Sequence, residues 1–150
     1  MRISTRGRYG LRAMIDLAAR GGGGASVTLK SIAQRQGISE NYLEQLISPL
    51  KKAGYVKSIR GSLGGYILNK SAGDISVGDI LRILEGDMYP VECLSDETLG
   101  SCGKAGCESC VTKPVWQKMY DSINDVLQSF SLADLARDYT SNKKEGADIE

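Results

Sequence analysis

The sequence predicts a mainly α fold with a small β-hairpin. Three observations carry that prediction: apolar residues at helical spacing through most of the first 50 positions, one alternating stretch with glycines at its bend, and a second long amphipathic run near the C-terminus. At 150 residues and 41% hydrophobic composition, the chain is long enough to bury one core. Its longest apolar runs fall short of the roughly 20 residues needed to span a bilayer. The basic start MRISTRGRYG leads into a helical pattern rather than an apolar signal core. The expectation is therefore a cytoplasmic protein with no membrane partner.

From Gly7 to Ala19, Leu11, Met14, Ile15 and Ala18 recur at helical spacing, and GGGG at 21 to 24 ends the element. Thr28 can cap a short helix over LKSIAQRQ, Gly37 offers a left-handed stop, and Ser39 can cap the helix beginning ENYLEQL. Two short helices joined through QGIS form a helix-turn-helix, locked by Leu29, Ile32, Ala33, Ile38, Leu43 and Leu46. Asn41, Tyr42 and Gln45 then lie near the start of the second helix on its outer side, where side chains reach base edges or phosphates of a major groove. Pro49 predicts a kink or early break, because an interior proline costs ~3 kcal/mol.

YVKSIR, GSLG and GYILN read as a two-stranded wing with Arg60 at its root, placed to enter a minor groove or hold phosphate. Ser76, with Asp79 three residues on, caps a helix running through ILRILE to Gly86. Ile80, Leu81, Ile83 and Leu84 on it are assigned to packing. In KPVWQKMYDSINDVLQSF, Trp116, Met119, Tyr120, Ile123, Val126, Leu127 and Phe130 make one apolar face, and Pro114 suits a first helical turn. Such a helix can fold back on its own domain or pack against its copy; the reading favours a homodimer suited to palindromic DNA. SLADLARD predicts a short closing helix, and SNKKEGADIE a disordered polar tail. The domains expected are a winged helix-turn-helix domain over 1–87, a cysteine loop over 88–113, a dimerisation helix with closing helix over 114–140, and the tail over 141–150.

The net charge of +1 conceals a division. Residues 1–70 hold 12 Lys and Arg against 3 carboxylates, which is +9; residues 71–150 hold 7 against 15, which is −8. A half this basic favours a polyanion, since each neutralised phosphate releases condensed counterions.

All four cysteines fall between 93 and 110 at C-x8-C-x4-C-x2-C spacing, and the chain has no histidine. A disulfide framework does not suit an apparently cytoplasmic chain with a sizeable core. Metal coordination by Cys93, Cys102, Cys107 and Cys110 reads best: an iron–sulfur cluster is favoured over zinc, since only Cys107 and Cys110 form a C-x2-C knuckle. A thiol redox switch stays open as a third reading. An enzyme is not expected, for want of histidine, of a phosphate-binding glycine loop and of a nucleophile–base pair.

Taken together, MRISTRGRYGLRAMIDLA, LKSIAQRQGISENYLEQLISPLKKAGYVKSIRGSLGGYIL, ISVGDILRILEG and the thiol loop before a Trp-containing helix resemble the Rrf2 family of bacterial transcription regulators. The likeness runs to about residue 140. It is nearest to the cluster-binding branch of that family, while the DNA-reading half also resembles its cysteine metabolism repressors. The resemblance implies a homodimer reading a palindromic promoter site, with DNA contacts on Ser39, Asn41, Tyr42, Gln45 and Arg60 and on Ser62 and Gly64 of the wing that follows. It places Glu44 where a glutamate discriminates between classes of site. It also implies a [2Fe–2S] cluster, with zinc and [4Fe–4S] as lesser alternatives. Cys93, Cys102 and Cys110 match the three cysteines expected. Lys113 stands at the position of the usual histidine ligand, so Cys107 is expected to supply the fourth ligand, with Asp16 of a partner chain as the alternative.

Overall fold

The structure, a computed structural model, describes residues 2–21, 24–95 and 110–147. Six helices and one hairpin follow in the order α1 (Thr5–Arg20), α2 (Leu29–Gln36), α3 (Glu40–Lys52), β1 (Val56–Ile59), β2 (Gly65–Leu68), α4 (Val77–Glu85), α5 (Lys113–Ser129) and α6 (Leu132–Ala147). The mainly α architecture with one antiparallel hairpin is the one the sequence predicts.

Capping decides most of the boundaries. Thr28 and Ser39 accept from the amides of Ser31 and Tyr42, at 3.2 and 3.1 Å, and Gly37 closes α2 in the left-handed region at φ 66°. A residue with a Cβ would be strained there. Ser76 and Asp79 form a reciprocal capping box on α4, with both bonds at 3.0 Å. α1 begins two residues earlier than its apolar pattern. Ser4 caps it, and the Glu85 carboxylate at the end of α4 accepts from the amides of Ser4 and Gly7, each at 3.0 Å. A carboxylate on orphan N–H groups at a helix N-terminus is favourable by about 0.3–1 kcal/mol. This bond is long-range, and local periodicity carries no sign of it.

The core is continuous. Met14 and Leu17 of α1, Ile32 of α2, Leu43, Leu46 and Leu50 of α3, Val56 of β1, Ile80 of α4 and Leu132 of α6 are all fully buried or nearly so. α1 is central, packing against α2, α3, α4 and α6. The C-terminal segment is joined to it by a short antiparallel bridge, in which Val77 N–H donates to Phe130 at 3.0 Å and Leu132 N–H to Ile75 at 2.8 Å. Leu132 therefore belongs to the same core as residues 1–87. The wing gains a third edge in the same way, since Val27 and Tyr66 exchange two backbone hydrogen bonds of 2.7 and 2.9 Å.

Two expectations are corrected. α3 does not break at Pro49 but runs on to Lys52. Leu46, Ile47 and Leu50 anchor one face in the core, and the ring of Pro49 lies on the other, so the unpaired Gln45 carbonyl falls toward solvent. The tail expected to be disordered from 141 is helical to Ala147. No apolar residue marks this extension; Thr140 and Ser141 hydroxyls bond back one turn to Ala136 and Arg137, and Lys143 lies 5.0 Å over the Tyr139 ring.

Candidate functional site

The predicted DNA-reading residues divide into three groups. Asn41, Glu44 and Gln45 are exposed on α3 and line one open groove of about 630 Å³, with Ser48, Pro49 and Lys52 behind them and Arg6 of α1 opposite. Sequence reading missed Arg6 and Lys52, which bring two cations to the groove; the basic composition of the N-terminal half was the only trace of them. Glu44 makes no ion pair among the described residues, so its carboxylate is available to act as a negative element in a basic groove.

Tyr42 lies elsewhere. It is half-buried, edge-on to Tyr9 with ring centroids 6.3 Å apart, and Arg12 lies 5.3 Å over the Tyr9 ring. Its ring braces α1 against the start of α3. Ser39 uses its oxygen as an acceptor in the cap. The residue is exposed at the N-terminus of α3, beside its first free amides.

Arg60 and Ser62 are exposed in the loop between β1 and β2. Arg60 follows the last paired residue, since Ile59 opposite Gly65 ends the ladder. Gly64 is half-buried and shapes the loop: its N–H donates to Gly61 at 3.0 Å, and a Cβ there would meet the Ile59 and Gly61 carbonyl oxygens at 2.7 and 2.8 Å.

Of the four cysteines, Cys93 and Cys110 are described, and Cys102 and Cys107 lie outside the described residues. Both described thiols are free and half-buried. Cys93 sits in the turn Glu92–Leu94 after α4. Four residues before it, Tyr89 stacks on Tyr120 of α5 with centroids 4.7 Å apart, holding this stretch to α5. Cys110 lies three residues before the start of α5. Its sulfur lies 3.2 Å from the Thr112 hydroxyl, and this bond, with the amides of Thr112 and Lys113 and the charge of Lys113, holds the thiol below its ordinary pKa. Lys113, standing where a histidine ligand was expected, thus favours the thiolate form of its neighbour. Among the described residues no three His, Cys, Asp or Glu side chains come together as a metal site.

Asp16 does not suit the role of a ligand lent to a partner chain. It is fully buried, and Arg35 grips it through Nε at 2.9 Å and Nη2 at 2.7 Å, while Gln36 donates to it at 2.9 Å. The hydrogen bond from Arg35 to Asp16 raises the Arg35 pKa against the opposing effect of burial. Asp16 is a structural anchor between α1 and α2.

The apolar residues of α5, with Phe130 just past its end, form two stripes rather than the single face expected. Trp116, Tyr120, Ile123 and Leu127 are half-buried, while Val115, Met119, Val126 and Phe130 are 58, 44, 56 and 47% exposed. No residue of α5 is fully buried.

Residues 3–138 match the model of the Rrf2 family, described as iron-dependent transcriptional regulators. The chain is 48% identical to the HTH-type transcriptional regulator CymR of Bacillus subtilis over 145 residues, covering 97% of this chain and 96% of that one. The solved structure of CymR, the global cysteine regulator of B. subtilis, superposes with a TM-score of 0.74 at 46% identity, over 91% of this chain and 97% of that one. That of T. potens IscR does so with a TM-score of 0.71 at 47% identity, over 93% and 88%. These relatives are transcriptional regulators and not enzymes, and no helix among the described residues is long and apolar enough to cross a membrane. With a matching family model over nearly the whole chain and a winged helix-turn-helix that presents a basic groove, this chain belongs to the Rrf2 family of DNA-binding transcription regulators.

Proposed function

We propose that this regulator acts as a homodimer on palindromic promoter DNA and reports iron–sulfur cluster status through a [2Fe–2S] cluster held by Cys93, Cys102, Cys107 and Cys110, controlling cluster biogenesis genes. The observation that carries the reading is the placing of the thiols. Every cysteine of the chain lies in one segment between α4 and α5, with Cys93 in the turn Glu92–Leu94 and Cys110 three residues before α5 begins. The donor set fits: four thiolates satisfy the ligand demand of such a cluster, and Cys110 is already biased toward thiolate. A bound cluster would supply a redox-active, oxygen-sensitive group. The chain's own part is to set Cys93 and Cys110 near α5, the former four residues after Tyr89 in its stack on Tyr120 and the latter just before the helix begins, so that gain or loss of a cluster bears on the helix that carries the exposed apolar stripe.

At the DNA, Asn41 and Gln45 read base edges, Glu44 penalises wrong sites, Arg6, Lys52 and Ser39 hold phosphate, and Arg60 with Ser62 anchors the wing. The overall +9 of residues 1–70 supports this division of labour.

Anaerobic purification, an ultraviolet–visible spectrum, and iron, sulfide and zinc analysis on the same sample test the reading. Red-brown protein with about two irons and two sulfides per chain is expected. Stoichiometric zinc without colour would make the thiol segment a structural site. Metal-free protein would favour a second reading, a regulator of cysteine metabolism, which the 48% identity to CymR supports.

A further inference from the structure

We propose that the cavity between α1, α2 and α6 is a binding site for a small organic anion bearing a carboxylate. The cavity holds about 310 Å³ and is lined by Arg12 and Ile15 of α1, Arg35 and Gln36 of α2, and Tyr139 and Lys143 of α6. That is at the small end of the usual range for ligand clefts. It is distinct from the α3 groove and from the cysteine segment, sharing no residue with either.

The charge around it is unbalanced. Arg12, Arg35 and Lys143 bring three positive charges, and the buried Asp16 behind them brings one negative, which leaves +2. Like charges gathered on a partly enclosed wall repel one another, and an anion in the cavity removes that cost.

The cations are also held in place before any ligand arrives. Asp16, fully buried, binds Arg35 through Nε and Nη2; Arg35 Nη2 also lies 3.3 Å from the Ser31 hydroxyl. The Nη1 group is left uncommitted among the described residues. Gln36, 6% exposed, donates to Asp16 with its amide and accepts from Arg12 Nε at 3.0 Å. One buried carboxylate therefore orients two guanidinium groups, directly and through an amide. Planar guanidinium forks match a carboxylate in two-point geometry, and pre-orientation lowers the entropy lost on binding. Across the cavity, the Tyr139 hydroxyl and Lys143 ammonium are further donors, and Ile15 and the Tyr139 ring give an apolar wall for a carbon skeleton. The net positive lining opposes a cation and favours an anion over a neutral ligand.

Because the lining comes from α1 and α2 on one side and α6 on the other, an occupant would clamp the C-terminal helix to the helix-turn-helix. The proposal does not depend on the cluster reading.

Calorimetric titration of the intact protein at constant ionic strength with 2-oxoglutarate, succinate, citrate and benzoate, and with sulfate as the inorganic control, tests it. At least one carboxylate is expected to bind saturably with one site per chain and more tightly than sulfate. Arg12→Gln and Lys143→Gln, both at exposed side chains and checked for native circular dichroism, should each weaken that binding about tenfold. Arg60→Ala in the wing should leave it unchanged. The proposal is overturned if none of the four binds saturably, if sulfate binds as well as the best carboxylate, or if the two cavity variants bind as the parent does.

Discussion

Asp16 shows how little a residue's type says about its role until its surroundings are known. From sequence it is one acidic residue in a basic half; in the structure it is fully buried beneath Arg35 and Gln36. Removing the cation leaves an uncompensated buried carboxylate, and such losses cost about 3–5 kcal/mol. Arg35→Leu is therefore expected to destabilise the protein by about 3 kcal/mol in urea unfolding, the lower figure reflecting the quarter of the Arg35 side chain that solvent still reaches. The double variant Asp16→Asn with Arg35→Leu should recover a good part of the loss. Equal stability of Arg35→Leu and the parent would show that the pair anchors nothing. Arg60 is the opposite case, an exposed cation with no ion pair among the described residues. As a phosphate or minor-groove contact it contributes through counterion release, so Arg60→Ala should weaken binding at all sequences alike and lower the slope of log affinity against log salt by about 1. Gln45→Ala should act differently, costing about 1–3 kcal/mol at the specific site while leaving non-specific DNA binding nearly untouched.

Elements with their own stop and start signals were the most legible in the sequence. α2, α3 and α4 are bounded by Thr28, Gly37, Ser39, Ser76 and Gly86 as capping chemistry predicts, and the hairpin forms around the glycines that announce it. What the sequence did not disclose depends on distant partners: the Glu85 carboxylate that extends α1, the core that lets α3 pass through Pro49, and the cations Arg6 and Lys52 that complete the groove. Pro49→Ala restores a donor for the Gln45 carbonyl and should stabilise α3 by about 1–3 kcal/mol, the upper figure being the full proline penalty. At α6, Ser131 and Asp134 repeat the capping arrangement, with the Asp134 amide donating to Ser131 at 3.1 Å. The hydrogen bond from Ser131, with that of Arg137, holds the Asp134 carboxyl below its ordinary value. A depressed carboxyl stabilises the fold fully above its unfolded pKa, about 3.9, and that contribution is lost as pH falls through the lower folded value. The stability gap between the parent and Asp134→Ala should therefore be constant from neutral pH down to about 5 and shrink below about 4. A gap that widened on acidification would contradict the assignment.

The whole molecule separates its charge along the chain. The N-terminal half carries +9 and the helix-turn-helix, while the acidic half carries α5, whose inner stripe rests on its own domain and whose outer stripe of Val115, Met119, Val126 and Phe130 faces solvent. Val115, Met119 and Val126, at intervals of four and seven positions, fall along one side of α5, with Phe130 just past its end, the arrangement that a second helix of the same kind can cover. A contact on the C-terminal half leaves the basic N-terminal halves uncovered, free for two half-sites of one DNA duplex. In the homodimer proposed above, the outer stripe would be the contact. Met119→Glu combined with Val126→Glu puts two carboxylates into that contact while altering no buried side chain, so the circular dichroism spectrum should stay that of the parent. Sedimentation should then show a monomer. Affinity for a palindromic site should fall by about 100-fold or more, because the second head no longer binds at the effective concentration the dimer provides, whereas affinity for an isolated half-site should be unchanged. A double variant that stayed dimeric, or a monomer that kept full affinity for the palindrome, would remove α5 from the DNA-binding argument altogether.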